Sequence, residues 1–407
     1  MLAGLDQLYS AQIGNLRRRL RGERLAVLTH AAAIDRRGRH LLTVLEELGA
    51  TPQIIFTPEH GLFADAQAEE PVKDPSAPAE AAAGPRVISL YGDNKERLSP
   101  TAEELEGIQL LVIDLCDVGS RYYTYVWTAL LAARAAAAKG IHVVVLDRPN
   151  PISGDPSLIE GAPQREGFTS FVGLEPFPIR HSLTIGEMLA QVFERDGLPL
   201  GPEGALSVAR VLGWERMRTA EAWGRPFIMP SPNMPTLETA LVYPGGCLVE
   251  GTNLSEGRGT TAPFQLVGAP FLDGQALAQA LSEAGTPGVL VRPVTFKPTF
   301  EKHAGQRCNG VMLHVTSPAL FRPVATYLTL ITLARAQNPE AFAFRSTPYE
   351  FEAAVPAFDM LCGSAEARTA ISAGASAEDV VATTAPVDPS LREAVAAAEA
   401  RLDRAAI

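Results

Sequence analysis

Cysteine is scarce in this sequence, and so are long apolar runs. The 407 residues include only four cysteines, which lie far apart and form no CxxC pair. This spacing predicts small buried thiols in a reduced protein, and it excludes a disulfide framework or a cysteine zinc site. The longest apolar stretch, TALLAARAAAA, is interrupted by Arg134 and is too short to span a bilayer.

Positive charge is also in short supply. Lysine and arginine total 35 against 46 aspartates and glutamates, which gives a formal net charge of -11. Nucleic acids and anionic membranes both require a basic face, so neither is an expected partner. The N-terminal residues lack the three regions of a signal peptide. The sequence as it stands is therefore expected in the cytoplasm, and export would require a leader ahead of it.

Several motifs of well-known enzyme classes are missing. No glycine-rich turn follows the first predicted strand, where LTHAAAIDRRG stands instead, so no dinucleotide or nucleoside triphosphate has a phosphate cradle. There is no G-x-S-x-G turn for acyl transfer and no HExxH for zinc. We therefore expect no cofactor and no metal. Carboxylates, tyrosines and arginines remain as the candidate chemical groups.

The pattern of apolar segments predicts the fold class. Short runs rich in Val, Ile and Leu alternate with helical patterns over the first 150 residues, which indicates an α/β protein with a Rossmann-like parallel sheet. The length predicts two lobes, which we place at residues 1–155 and, as a second, smaller α/β lobe, at residues 156–407. The stretch from Phe63 to Pro85 predicts a long loop, and the Pro- and Gly-rich segment 225–264 predicts ordered loop structure rather than helix.

Polar side chains follow five of the predicted strands, at the point where each strand ends. The carboxyl ends of parallel strands meet at one edge of a sheet, where ligands bind. We therefore expect a cleft at this edge. A helix cap or a solvated loop residue is the ordinary explanation for any one of these side chains. The strand ends carry Thr29-His30, Thr57 to Gly61, Tyr91, Asp114 to Tyr125 and Asp147 to Asn150.

Paired carboxylates facing a sugar are the usual equipment for cleaving a glycosidic bond. Glu59 lies beside Phe56 and Leu62, and partial burial there would favour a neutral carboxyl, which suits a general acid. His60 has three open roles: it orients Glu59, binds substrate, or caps a helix.

At these residues the sequence resembles the NamZ family of exo-β-N-acetylmuramidases, a former domain-of-unknown-function family. The resemblance rests on four blocks in the same order over nearly the whole chain: FTPEHG, LCDVGSRYYTYVWT, DRPNPISG and PSPNMPTLETALVYPGGCLVEGTNLSEGRGTTAPFQLVGAP. It implies an exo-acting glycosidase that removes N-acetylmuramic acid from the non-reducing ends of peptidoglycan fragments, in cell-wall turnover or recycling. It also implies an active site between a Rossmann-like lobe and a smaller lobe.

The resemblance also implies roles for individual residues. Where the family pattern reads D-x-Q-D-x-G-x-R, this sequence has Cys116 in place of the glutamine and keeps the two aspartates, the glycine and the arginine. The catalytic candidates are Glu59, His60 and Asp117. The substrate-binding candidates are Asp114, Arg121, Tyr123, Arg148, Asn150, Asn233, Glu250, Asn253, Glu256 and Arg258.

The implied substrate carries a lactyl carboxylate, which an arginine is suited to bind. Arg121, Arg148 and Arg258 are the candidates, and a salt bridge to a neighbouring carboxylate is the alternative for each. Glu250 and Glu256 compete with Asp117 as the second carboxylate. A sugar-binding protein without turnover is the alternative function. The sequence predicts no oligomeric state.

Overall fold

The computed structural model describes residues 1–67, 70 and 84–407. The long loop predicted from Phe63 to Pro85 therefore lies mostly outside the described residues. The strands are β1 Leu25–Thr29, β2 Ile54–Thr57, β3 Arg86–Ser89, β4 Leu110–Asp114, β5 His142–Leu146, β6 Leu206–Ala209, β7 Leu266–Ala269, β8 Val289–Phe296 and β9 Cys308–Val315.

The α-helices account for much of the remaining chain. They are α1 Gly14–Gly22, α2 Leu41–Glu47, α3 Tyr125–Ala138, α4 Ile185–Arg195, α5 Leu237–Gly246, α6 Gly274–Glu283, α7 Pro323–Gln337, α8 Ala357–Cys362, α9 Glu366–Ala373, α10 Ala377–Thr384, α11 Pro389–Ala396 and α12 Ala398–Ala405. None of those in the described part of the chain combines the length and apolar character needed to cross a bilayer.

The first lobe is built on a six-stranded sheet in which each neighbouring pair of strands is parallel, in the order β3-β2-β1-β4-β5-β6. The order reverses between β1 and β4, which is the position where ligands bind in sheets of this type. Both faces of the sheet are covered. Leu28 and Phe56 join one apolar core, whereas Val27 and Ile55 join the other. The predicted Rossmann-like lobe is confirmed.

The second lobe contains a three-stranded antiparallel sheet in the order β7-β9-β8. Helix α6 packs on this sheet and α7 packs on α5 and α6. The apolar core that covers one face of the parallel sheet continues into this lobe without a break. A smaller α/β lobe beside the parallel sheet is therefore also confirmed.

The chain crosses between the lobes twice. Strand β6 lies beyond the boundary that we placed at residue 155, yet it completes the first sheet. Near the C-terminus, α12 packs against α4 and β6, and Ala406 forms a parallel bridge with Val208. The first lobe therefore takes up residues well past 155 and the end of the chain.

One local prediction is wrong. The segment 225–264 contains helix α5 and a 3₁₀ helix, Cys247–Gly251, where we expected no regular helix. Thr236 caps α5 by accepting a hydrogen bond from the Thr239 amide, which satisfies one of the free amides of the first turn. Pro244 lies within the helix, but only two residues before its end, so the break that proline causes comes late.

Glycine at position 310 is required by close backbone packing in the second lobe. Gly310 lies in the central strand β9, opposite Gly268 on β7. A Cβ atom at this position would lie 2.0 Å from the carbonyl oxygen of Val267. The three nearest atoms are all main-chain atoms of Val267 and Gly268 on β7, so rotating a side chain cannot make room.

We expect Gly310→Ala to lower the free energy of unfolding by about 1–3 kcal/mol, because β7 and β9 must separate to admit the methyl group. Urea unfolding followed by circular dichroism measures the change. Gly22→Ala is the control, since a Cβ there has no neighbour within 4 Å. A Gly310→Ala protein as stable as this control would contradict the packing argument.

Candidate active site

The loop after β2 delivers Glu59 and His60 to the carboxyl edge of the sheet. Both side chains are buried, and His60 adopts a left-handed backbone conformation with φ of 69°. Such a φ is uncommon for a residue with a side chain and often marks a functional position. The Thr124 hydroxyl donates a 2.6 Å hydrogen bond to Oε2 of Glu59. The loop after β4 thus fixes the carboxyl that the loop after β2 supplies.

The hydrogen bond made by His60 defines its tautomer. Its Nδ1 lies 2.8 Å from the carbonyl oxygen of Ala66. A carbonyl only accepts, so Nδ1 carries a hydrogen and the neutral ring presents Nε2 as an acceptor. Nε2 lies 4.0 Å from Oε1 of Glu59. The structure therefore orients His60 toward Glu59, and helix capping is not its role.

Glu59 and His60 line a cavity between the two lobes. Its walls come from the loops after β2 and β4 and from four later segments. Five of the predicted site residues line it beside Glu59: His60, Tyr123, Asn233, Glu250 and Arg258. The other lining residues are Tyr122, Thr124, Val172, Ser231, Met234, Tyr243, Phe264, Tyr349 and Glu350.

Glu250 is the second carboxylate of this cavity. Arg258 donates to its Oε1 at 2.7 Å, and the Tyr349 hydroxyl donates to its Oε2 at 2.6 Å. Burial by itself raises the pKa of Glu250, but Arg258, Tyr349 and Lys302 together hold that pKa below its usual value. Burial also raises the pKa of Tyr349 well above the ordinary value, so this phenol stays a donor. Glu250 is therefore ionised at neutral pH.

A third carboxylate, Glu350, faces the same cavity. Its side chain is buried, and its Oε2 accepts a 3.0 Å hydrogen bond from the Tyr91 hydroxyl. Glu350 and Phe351 both have positive φ, at 46° and 64°. Two successive residues in this region indicate stored backbone strain, which clusters at functional sites.

Asp117 lies elsewhere. It lines a neighbouring cavity with Cys116, Arg148 and Trp223. Its Oδ2 accepts from the Gly119 amide and lies 3.3 Å from Nε2 of the buried His181. The two cavities are lined by neighbouring residues of the chain: Pro230 lines the cavity with Asp117, and Ser231 lines the cavity with Glu59.

Asp114 and Arg148 form a buried ion pair. Nε and Nη2 of Arg148 donate to the two carboxylate oxygens at 2.5 and 2.9 Å. A third bond joins Nη1 to the carbonyl of Ile34. Both side chains therefore connect β4 and β5 at the strand ends, and neither lines the cavity that contains Glu59.

Like Asp114, four other predicted residues line neither cavity, because main-chain groups or Lys302 hold their side chains. Arg121 is fully buried and donates to the carbonyls of Ala162, Phe177 and Leu361. Asn150 bonds the main chain of Ile152 and Leu183. Asn253 bonds that of Ala341 and Ala343. Glu256 accepts from Lys302 at 2.9 Å. These side chains stabilise loops.

Sequence reasoning missed Thr124, Tyr349, Glu350 and Lys302. Thr124 lies within the recognised block after β4, so its hydroxyl could have been included. The other three come from segments without a recognised motif. Elsewhere, the described residues contain no group of three or more His, Cys, Asp or Glu side chains arranged to hold a metal ion.

Comparison with known proteins identifies the family of this chain. Two family models, the N-terminal and C-terminal parts of exo-β-N-acetylmuramidase NamZ, match residues 25–238 and 241–389. The chain belongs to the NamZ family. It is also 39% identical over 382 residues to the peptidoglycan β-N-acetylmuramidase NamZ of Bacillus subtilis, covering 93% of this chain and 86% of that protein.

Two solved structures share the NamZ fold. A DUF1343 family protein from Bacteroides fragilis superposes with a TM-score of 0.82 at 27% identity, covering 99% of this chain and 97% of that one. A second protein of the same family and organism has a TM-score of 0.70 at 24% identity, with 98% of each chain covered. The two-lobed architecture is thus shared along the full length.

The ion pair between Glu250 and Arg258 predicts a pH-dependent stability. The lowered pKa of Glu250 means that its contribution is fully present above the ordinary value of 4.5 and is lost as pH falls through the lowered value. Arg258→Met leaves a buried carboxylate without its cation, so we expect about 3–5 kcal/mol of destabilisation at pH 7.

This deficit should shrink as the pH is lowered and Glu250 takes up a proton. Urea unfolding of both proteins at pH 7 and pH 4 measures it. A deficit that is equal at the two pH values would show that lost packing, and not charge, causes the destabilisation.

Proposed function

We propose that this protein is an exo-acting glycosidase that releases N-acetylmuramic acid from the non-reducing ends of peptidoglycan fragments. One observation carries the proposal beyond family membership. Two buried carboxylates, Glu59 and Glu250, share one cavity between the lobes. This is the equipment that glycosidic cleavage requires.

Glu59 serves as the general acid that protonates the leaving-group oxygen. The position of the side chain supports this role, because Glu59 is buried in the cavity and the Thr124 hydroxyl holds its Oε2 in place at 2.6 Å. Nε2 of His60 faces Oε1 of Glu59 and can orient the acid or bind a substrate hydroxyl.

Glu250 serves as the ionised partner carboxylate. Arg258 and Tyr349 keep it charged, and a negative charge stabilises the positive charge that develops on the sugar ring during cleavage. Asp117 and Glu256 competed for this role in the sequence. Glu250 is preferred because it shares the cavity with Glu59, whereas Asp117 lines the neighbouring one.

Arg258 is our candidate for the lactyl group of the substrate. It is the one arginine of the three candidates that lines the cavity with Glu59. Its Nη2 binds Glu250 and its Nε lies 3.5 Å from Glu256, while Nη1 has no hydrogen-bond partner among the described residues. A carboxylate on the substrate can accept from that nitrogen.

We expect Glu59→Gln to lower kcat by roughly two orders of magnitude or more, the scale of general acid catalysis. The amide keeps the shape and loses the acidic proton, so KM should change little. Release of chromophore from an aryl β-glycoside of N-acetylmuramic acid gives the rate. The phenol that is released must have a high pKa, because a phenol of low pKa leaves without the help of a general acid.

Thr128→Val is the matched control, because its hydroxyl bonds only a helix carbonyl, and its kcat should stay near wild type. A wild-type protein that binds the glycoside without releasing chromophore would favour a sugar-binding protein. Normal turnover by Glu59→Gln would remove Glu59 from the acid role.

We expect Arg258→Lys to reduce the preference for the N-acetylmuramic acid glycoside over its N-acetylglucosamine analogue by about tenfold, the scale of one charged hydrogen bond. The ratio of kcat/KM for the two glycosides measures it, and a general loss of activity cancels in the ratio. Arg292→Lys, on the exposed strand β8, is the control. An unchanged ratio in Arg258→Lys would assign the lactyl group to another residue.

A further inference from the structure

A short turn in the second lobe contacts the loop that carries Glu250. We call residues 299–303 the strap and residues 247–260 the carboxylate loop. Glu301 and His303 of the strap both have positive φ, at 62° and 58°. Left-handed residues with side chains are uncommon, and two of them in one short turn persist only where surrounding contacts compensate for the strain.

Lys302, between these two residues, inserts its ammonium group into the carboxylate loop. Only about a fifth of its side chain is exposed. The group has four oxygen neighbours at hydrogen-bond distance: the carbonyls of Val249 at 3.0 Å, Glu250 at 3.3 Å and Leu254 at 3.1 Å, and Oε2 of Glu256 at 2.9 Å. This arrangement resembles the oxygen cage that proteins build for a bound cation.

Two of those carbonyls belong to the last residues of the 3₁₀ helix Cys247–Gly251. A helix end carries partial negative charge on carbonyls that lack a partner in the helix, and a lysine there satisfies them. The main chain of Glu250 is therefore tied to the ammonium group directly. The Glu250 side chain points to the cavity. The hydrogen bond from Lys302 therefore fixes the main chain from which the carboxylate extends.

The strap makes two further connections to the same loop. Nε2 of His303 donates to the carbonyl of Asn253 at 2.7 Å. The amide and hydroxyl of Thr299 both donate to the carbonyl of Gly259, at 3.1 and 2.9 Å. The strap thus contacts the carboxylate loop on both sides of Arg258.

Lys302 also determines how the local charges pair. Arg258 lies between two glutamates, at 2.7 Å from Glu250 and 3.5 Å from Glu256. The ammonium group neutralises Glu256 from the other side. Two cations thus match two anions, and the shorter contact of Arg258 goes to Glu250.

We propose that Lys302 is a positioning residue for catalysis, an internal cation that holds the carboxylate loop and keeps Glu250 paired with Arg258. This inference rests on the proposed role of Glu250. Lys302 does not line the cavity, so it acts through Glu250 and not on the substrate. Its loss should change the chemical step more than substrate binding.

The test compares three variants with the wild-type enzyme on the N-acetylmuramic acid glycoside. Lys302→Gln keeps two donors and removes the charge, whereas Lys302→Arg keeps the charge. Lys297→Gln makes the same change at an exposed lysine near the strap. For each protein we would measure kcat, KM, the pH profile of kcat/KM and the melting temperature.

We expect Lys302→Gln to lose tenfold or more in kcat with KM within about twofold of wild type. The acidic limb of its pH profile should move up by about one pH unit, because a nearby cation no longer favours the ionised form of Glu250. Lys302→Arg should keep the wild-type limb with an intermediate kcat, and Lys297→Gln should match wild type throughout.

An unchanged acidic limb in a folded Lys302→Gln protein, with activity lost only in step with its melting temperature, would overturn the proposal. If Lys302→Gln does not fold, a shift of one pH unit in the acidic limb of the Lys302→Arg profile would also overturn the proposal, because that variant keeps the charge. A wild-type protein that releases no N-acetylmuramic acid contradicts the proposed function instead, so the two failures are distinguishable.

Discussion

Compensation of buried charge is the constraint on which the candidate active site depends. Ionised groups leave water at high cost, and they remain charged only where a partner is held in place. The carboxyl edge of the sheet contains one such pair in Asp114 and Arg148. The second lobe contributes a larger set around Glu250, closed by Lys302. On the first lobe, the Thr124 hydroxyl donates a hydrogen bond to Glu59. The ion pairs around Glu250 are therefore what allows a charged carboxylate to remain in this cavity.

Much of the first lobe could be predicted from the sequence because its signals are local. Apolar runs such as Leu110–Asp114 define buried strands, and parallel strands bring their polar ends together. That rule correctly placed Glu59 and His60 at the cavity. It could not say which strand-end residues bind one another: Asp114 and Arg148 satisfy each other across two strands, and Arg121 turns inward to three carbonyls.

The second lobe was harder to predict because its site depends on distant contacts. Glu250 meets Tyr349 across 99 positions of sequence, and Lys302 meets the carboxylate loop across about fifty. A local hydrophobic periodicity gives no information about contacts between residues so far apart in the sequence. The helix from Leu237 to Gly246 was missed for a different reason, since proline and glycine near its end obscured a capped start at Thr236. Composition averaged over a segment is a weak guide where two residues at the boundaries decide the conformation.

The return of the C-terminal helix to the first lobe has a mechanical consequence. The polypeptide leaves that lobe after β6 and comes back to β6 through Ala406, so two covalent tethers join the halves of the molecule. Two lobes joined by a single linker can rotate apart about that linker. Two lobes joined by two chain segments are more restricted in this rotation. The distance between Glu59 on one lobe and Glu250 on the other is thereby set by chain topology as well as by packing.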